Sequence, residues 1–172
     1  MDKAETTKIV RDFVWEFWRE RTRQIGQLVP GADMDVQAKL PSEAWENPFP
    51  YMMEAQEWLA LALYGAGLTD EDPLEMREAC QSLAEWLFGI PGSSAYAIPD
   101  EWADTAMGAL WWAALVRTEG DELITIAQAA EIAGVTVQAI SGRIERGTLR
   151  SFTDPASTGS RQGRRLVRRS DL

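Results

Sequence analysis

The sequence predicts a mainly α-helical fold in two unequal parts: a bundle of about four helices over residues 1–120, then a small helix-turn-helix with two short strands over residues 121–172. Three observations predict it. Apolar residues recur at helical spacing through the first part, interrupted by Pro and Gly. Charge divides unevenly: residues 1–120 carry 9 basic against 21 acidic side chains, and residues 121–172 carry 8 against 6. All eight Trp precede residue 113. A joint shift in charge and aromatic content marks a boundary, which falls at Thr118-Glu119-Gly120-Asp121.

The first helix opens at Asp2-Lys3-Ala4-Glu5, which fits a capping box. Ile9, Val10, Phe13, Val14, Phe17, Trp18, Ile25 and Leu28 then lie on one helical stripe, and Pro30-Gly31 ends it. Residues 31–50 hold Gly31, Pro41, Pro48 and Pro50 and read as a long loop. The second helix runs roughly from Tyr51 to Tyr64. Trp58, Leu59, Leu61, Leu63 and several Ala cover nearly its whole circumference, which marks it as the buried one. Asp72-Pro73-Leu74-Glu75 opens a third helix, with Asp at the cap, Pro at the first helical position and Glu closing the box. Met76, Ala79, Cys80, Leu83, Trp86 and Leu87 supply its apolar face, and Gly89-Ile90-Pro91-Gly92 ends it. After a loop from Ser93 to Ile98, a fourth helix opens at Pro99-Asp100-Glu101. Trp102, Ala106, Ala109, Leu110 and Ala113 line one of its faces, with Trp111 and Trp112 beside it.

Composition removes whole classes of chemistry. The chain has no His, which excludes Ser-His-Asp and Cys-His catalysis and His-ligated metal. The lone Cys80 excludes an intramolecular disulfide, CxxC redox chemistry and Cys-based zinc sites. No run of about 18 apolar residues exists, so no membrane-spanning helix is expected. The N-terminal stretch lacks the basic and apolar regions of a signal peptide, and the expected location is the cytoplasm. No enzyme, cofactor or resident metal is expected. One pattern offers an exception. Glu54-x-x-Glu57 and Glu75-x-x-Glu78 each place two carboxylates on one helical face, and facing pairs could hold Mg²⁺ for hydrolysis of a nucleotide. The same spacing equally describes a solvated acidic face. Most Trp sit at core spacing; Trp15 and Trp45 fit the stripes least and are the candidates for a dimer or partner contact. The acidic part is accordingly assigned to homodimerisation or to a protein partner.

In the second part, Thr125-Ile126-Ala127-Gln128 is a capping box opening a short helix through Ala133. Gly134 supplies the left-handed turn, and Thr136 caps a second helix that runs to Arg146. The expected buried set is Ile126, Ala129, Ala130, Ile132, Val135, Ile140 and Ile144. Leu149–Thr153 and Arg165–Arg168 read as short strands around a Gly/Ser/Thr-rich tip from Asp154 to Arg164.

These residues resemble the small winged helix-turn-helix of the MerR and phage-excisionase type. The match runs through Thr125-Ile126-Ala127-Gln128-Ala129-Ala130-Glu131-Ile132, Gly134-Val135-Thr136, Ile140, Ile144, Gly147, Leu149, Val167, Asp171 and Leu172, about 50 of the 172 residues. The resemblance implies that the second helix enters the major groove of double-stranded DNA while the wing contacts backbone or minor groove. MerR regulators proper continue into a dimerising helix where this sequence stops, so effector sensing is not carried over.

Side-chain chemistry agrees with DNA as the partner. Val137, Gln138, Ser141 and Gly142 lie outward on the second helix. Gln suits adenine, Ser suits several bases, and Val suits a thymine methyl. Thr136, Arg143, Arg146, Arg150, Arg161, Arg164, Arg165 and Arg168 are the candidates for the sugar-phosphate backbone. Gly142 stands where members of that family usually carry a larger polar or basic residue; it costs roughly 1 kcal/mol of helix stability and removes one reader of base edges. The functional expectation is a sequence-specific transcription regulator of bacterial or phage type. The alternatives are an excisionase-like architectural factor, the Mg²⁺-dependent hydrolase and a protein-interaction adaptor.

Overall fold

The computed structural model describes residues 1–28, 53–89, 97–154, 157 and 164–172. The loop over residues 31–50, Trp45, Arg161 and the helix stops at Pro30-Gly31 and Ile90-Pro91-Gly92 lie outside the described residues. Within them the protein is mainly helical, with a small antiparallel sheet. No described helix is long and apolar enough to cross a membrane.

Helix α1 spans Lys3–Leu28. Asp2 starts it by accepting the Glu5 amide at 2.9 Å. Helix α2, Met53–Gly65, buries Ala55, Trp58, Leu61, Ala62, Leu63 and Tyr64, as its all-round apolar surface requires. Helix α3, Pro73–Phe88, is capped by the Asp72 carboxylate, which accepts the Leu74 and Glu75 amides. Next comes a single 3-10 turn, Asp100–Asp104, and then helix α4, Ala106–Thr118.

That break corrects the expected fourth helix, which does not begin at Pro99-Asp100-Glu101. Thr105 has extended backbone (φ −80°, ψ 156°), and its Oγ1 accepts the Gly108 amide at 3.0 Å. A good N-cap therefore starts the helix about two turns later than the proline does.

These helices share one hydrophobic cluster built on Val10, Val14, Ala55, Trp58, Leu61, Cys80, Leu83, Trp102, Met107, Leu110 and Trp111. Aromatic edges set its grain. Phe13 stands edge-on to Trp58 at 5.1 Å and near Trp102 at 5.5 Å, and Phe17 lies 4.4 Å from Trp86. Trp111 is fully inside and donates its Nε1–H to the Cys80 carbonyl at 3.0 Å. Trp15 is half-buried and packs partly against this cluster. Helices α2 and α4 touch closely because Gly65 has no side chain; a Cβ there would lie 2.3 Å from the Leu110 carbonyl oxygen. Cys80 behaves as a small hydrophobe, its thiol pKa pushed up to about 12 by burial.

After α4 the chain forms strand β1 (Leu123–Thr125), helices α5 (Ile126–Ala133) and α6 (Val137–Glu145), strands β2 (Phe152–Thr153) and β3 (Arg165–Arg168), and a closing 3-10 turn, Arg169–Asp171. Strand order is β1-β3-β2, both pairs antiparallel, with Ile124 opposite Val167 and Phe152 opposite Leu166. The sequence reading anticipated β2 and β3 and missed β1. A second cluster of Ile124, Ala129, Ala130, Ile140, Leu149 and Val167 lies beneath, with Ile126, Ala133, Ile144 and Leu172 packed on it.

Two expected core residues are not in it. Ile132 is 51% exposed and Val135 45%. Ile126, Ala129, Ala130 and Ala133 make the i, i+3, i+4, i+7 stripe of α5; Ile132 falls off that stripe, and Val135 sits in the turn.

Candidate nucleic-acid interface

Local sequence positions α5 and α6 with few choices left open. Thr125 Oγ1 accepts the Gln128 amide at 3.2 Å while Gln128 Oε1 accepts the Thr125 amide at 2.9 Å, so the capping box is complete. Gly134 takes the left-handed conformation (φ 66°, ψ 30°). The Val135 amide then reaches the Ala130 carbonyl at 3.0 Å and the Gly134 amide that of Glu131 at 3.2 Å, the paired bonds of a Schellman turn. Thr136 Oγ1 accepts the Ala139 amide at 3.2 Å and starts α6. Its hydroxyl oxygen thus serves the cap of the helix that it was expected to help anchor on a phosphate.

From that start α6 turns Ile140 fully inward and leaves Thr136, Val137 and Gln138 exposed. Ser141, Gly142 and Arg143 are half-buried, and Arg146 is exposed at the far end. The base-contact candidates Val137, Gln138, Ser141 and Gly142 therefore do share one accessible face, with Arg146 beside them.

The remaining arginines are divided among different partners. Arg143 Nη2 donates to the Asp171 carbonyl at 3.4 Å, a weak bond. Arg164 Nε stands 3.5 Å from the Asp154 carboxylate. Arg150 stacks its guanidinium 4.5 Å from the Trp112 ring and 5.2 Å from Phe152, a cation–π arrangement. Arg165 Nη1 donates to Asp104 Oδ1 at 3.2 Å, and the same carboxylate oxygen accepts Thr153 Oγ1–H at 2.8 Å. Arg168 donates from Nη2 to Glu119 at 2.5 Å and from Nε to Asp121 at 3.0 Å. Arg169, not singled out from the sequence, pairs with Glu122 at 2.6 Å.

These last contacts join strand β3 and its following turn to the acidic helical part and to the α4–β1 connection. Burial alone would raise the Asp121 carboxyl, yet hydrogen bonds from Ser170 Oγ, the Glu122 amide and Arg168 outweigh it and hold its pKa below the ordinary value. Arg168 is held more strongly protonated, chiefly by its hydrogen bond to Asp121. Apolar contact reinforces the join, since the Phe152 ring lies 5.7 Å from Trp112. Sequence reasoning placed a boundary at Glu119-Gly120-Asp121 and read the arginines by charge alone. The available signal was the acidic run Glu119, Asp121, Glu122 set against the basic run Arg168-Arg169, two blocks of opposite sign flanking paired strands.

Among the described residues, no group of three or more acidic or Cys side chains stands close enough to hold a metal ion. Glu54 and Glu57 on α2 and Glu75 and Glu78 on α3 are therefore not gathered. Their helices meet through apolar faces, which leaves Glu57, Glu75 and Glu78 exposed to water.

Comparison with protein-family models, with curated proteins and with solved structures finds no match to this chain.

Proposed function

We propose that this chain is a sequence-specific DNA-binding protein, a transcription regulator of bacterial or phage type, and that residues 121–172 form a winged helix-turn-helix. The observation that carries the reading is the accessible face of α6. A helix seated by two caps and a left-handed glycine leaves Gln138 and Arg146 exposed, with Ser141 half-buried between them. Those side chains supply the amide, hydroxyl and guanidinium groups that pair with base edges and phosphates. Its seat in double-stranded DNA would be the major groove, with α5 crossing the backbone.

In this reading the arginines divide by role. Arg143, Arg146, Arg161 and Arg164 serve DNA. Arg165, Arg168 and Arg169 orient the module on the helical part, and Arg150 sits against Trp112 with them. Residues 1–120 carry dimerisation or a partner contact, because one module of this size reads few base pairs. No catalysis is assigned to them.

A second reading, a protein-interaction adaptor, is favoured by one observation: Ile132 near the end of α5, Val135 in the turn and Val137 at the start of α6 are large, apolar and exposed. One experiment separates the two. Binding of the full chain to a pool of genomic duplex fragments is measured across a salt series. DNA binding predicts capture of a discrete set of fragments, weakening steeply with salt. No capture at low salt removes the DNA reading and leaves the adaptor.

A further inference from the structure

Gly142 costs α6 helix stability, and the structure shows what occupies its place. A Cβ built on Gly142 would lie 3.1 Å from Arg146 Nη1, 3.9 Å from its Cζ and 4.0 Å from its Nη2. The guanidinium of Arg146 is therefore folded back across the space that a side chain at 142 would fill. Residues four apart on a helix share a face, and Cα–Cβ bonds tilt toward the N-terminus, so this direction is the natural one for Arg146. Gln138, Gly142 and Arg146 stand at i, i+4 and i+8 and form one stripe on α6. None of the ion pairs among the described residues involves Arg146.

We propose that Arg146 is the guanine-reading residue of this face, and that Gly142 serves as the gap that lets its guanidinium lie there. The inference rests on the DNA reading of α6. Extended outward from the last turn, an arginine reaches phosphates. Laid back over Gly142, its planar group is carried toward the N-terminal half of the helix, the end that meets base edges in the major groove. A guanidinium presents paired N–H donors in a fixed fork, which matches the O6 and N7 acceptors of guanine. The stripe then carries an amide suited to adenine at Gln138 and a fork suited to guanine beside it. This exchanges the roles read from the sequence, where Gly142 stood among base contacts and Arg146 among phosphate contacts. A missing side chain at 142 does not remove a base reader; it makes room for one.

The test uses the full chain and a duplex pool randomised over about one helical turn of DNA. Selected sequences are compared for wild type, Arg146→Ala and Gly142→Leu, with circular dichroism melting of each. Expected for Arg146→Ala is a loss of preference at one G·C pair of about 5- to 150-fold, with other positions of the selected motif retained. Expected for Gly142→Leu, whose side chain fills the gap, is loss at the same G·C pair together with a melting temperature no lower than wild type. Equal weakening on every sequence by Arg146→Ala, with an unchanged motif, makes Arg146 a phosphate contact and overturns the proposal. So does relaxation by Gly142→Leu at a different base pair. If wild type selects nothing at low salt, the DNA reading itself has failed and the inference goes with it, a result distinct from a motif that survives both substitutions.

Discussion

Arg146, at the C-terminal end of α6, and the arginines of strand β3 lie within 22 residues of one another and have opposite surroundings. Among the described residues Arg146 makes no ion pair, whereas Arg165 and Arg168 reach Asp104 and Glu119 in the helical part and Asp121 just after it. By sequence they form one basic patch. In three dimensions, part of that patch is neutralised inside the molecule. Charge written in a segment is thus not charge offered to a partner; what remains after internal pairing is. The two hydrophobic clusters differ in a parallel way. The helical cluster is large and aromatic, while the second rests on six small or medium side chains and leans on its caps and on its contacts with Trp112 and Asp104.

The largest effect that would sharpen this contrast falls on the helical cluster. Trp58 is 1% exposed and touched edge-on by Phe13. Trp58→Ala should cost about 3–5 kcal/mol, enough to unfold much of a marginally stable protein, read as a drop in the denaturant midpoint. Somewhat smaller, Ile140→Ala empties the centre of the second cluster and should cost about 2–5 kcal/mol. If the two clusters unfold separately, Ile140→Ala abolishes the proposed DNA binding and leaves the Trp fluorescence transition in place, since all eight Trp lie before residue 113. A single shared transition that shifts in both variants would show instead that the contacts around Asp104 and Asp121 weld the parts into one cooperative unit. Smaller again, Thr125→Ala removes one half of the capping box and should cost about 1 kcal/mol, read from the same denaturation curves.

Much of this fold was legible before the structure, for identifiable reasons. Caps and stops are local, so Asp72-Pro73, Thr125–Gln128, Gly134 and Thr136 mark four helix ends within a residue or two. Strand β1 was not legible. Three residues are too few to show alternation, and their partner β3 begins 40 residues on. The start of α4 is not legible because two start signals compete, and the threonine cap prevails over the proline. Ile132 and Val135 read as inward from their hydrophobicity, but Ile132 lies off the apolar stripe of α5 and Val135 sits in the turn after it. At the candidate site, the outward face of α6 followed from helical period. The partition of the arginines did not, because it depends on which acids the tertiary fold brings opposite them.

The smallest effect is the one that most directly probes the join between the two parts. Asp121 is only 11% exposed at its side chain, and it accepts Arg168 Nε at 3.0 Å and Ser170 Oγ at 2.5 Å. Its carboxyl titrates below the ordinary value in the folded state. A lowered folded pKa means that the native state favours the ionised form. Its contribution is therefore complete above the unfolded carboxyl value of about 3.9, and is lost as pH falls through the folded value. Partly screened pairs of this kind contribute little each, so the expected difference is a fraction of the cap's. The measurement is denaturant stability of wild type and Asp121→Asn from pH 7 down to about pH 3. The gap between them should stay constant from pH 7 to about 5 and narrow below about 4 as the wild-type carboxyl gains its proton. Arg168→Ala, which removes the cation rather than the acid, should narrow its gap over the same range. Gaps unchanged by pH in both variants would mean that the join is held by Phe152 on Trp112 and Thr153 on Asp104, with the arginine clasp adding nothing. Arg168 would then return to the set proposed for DNA.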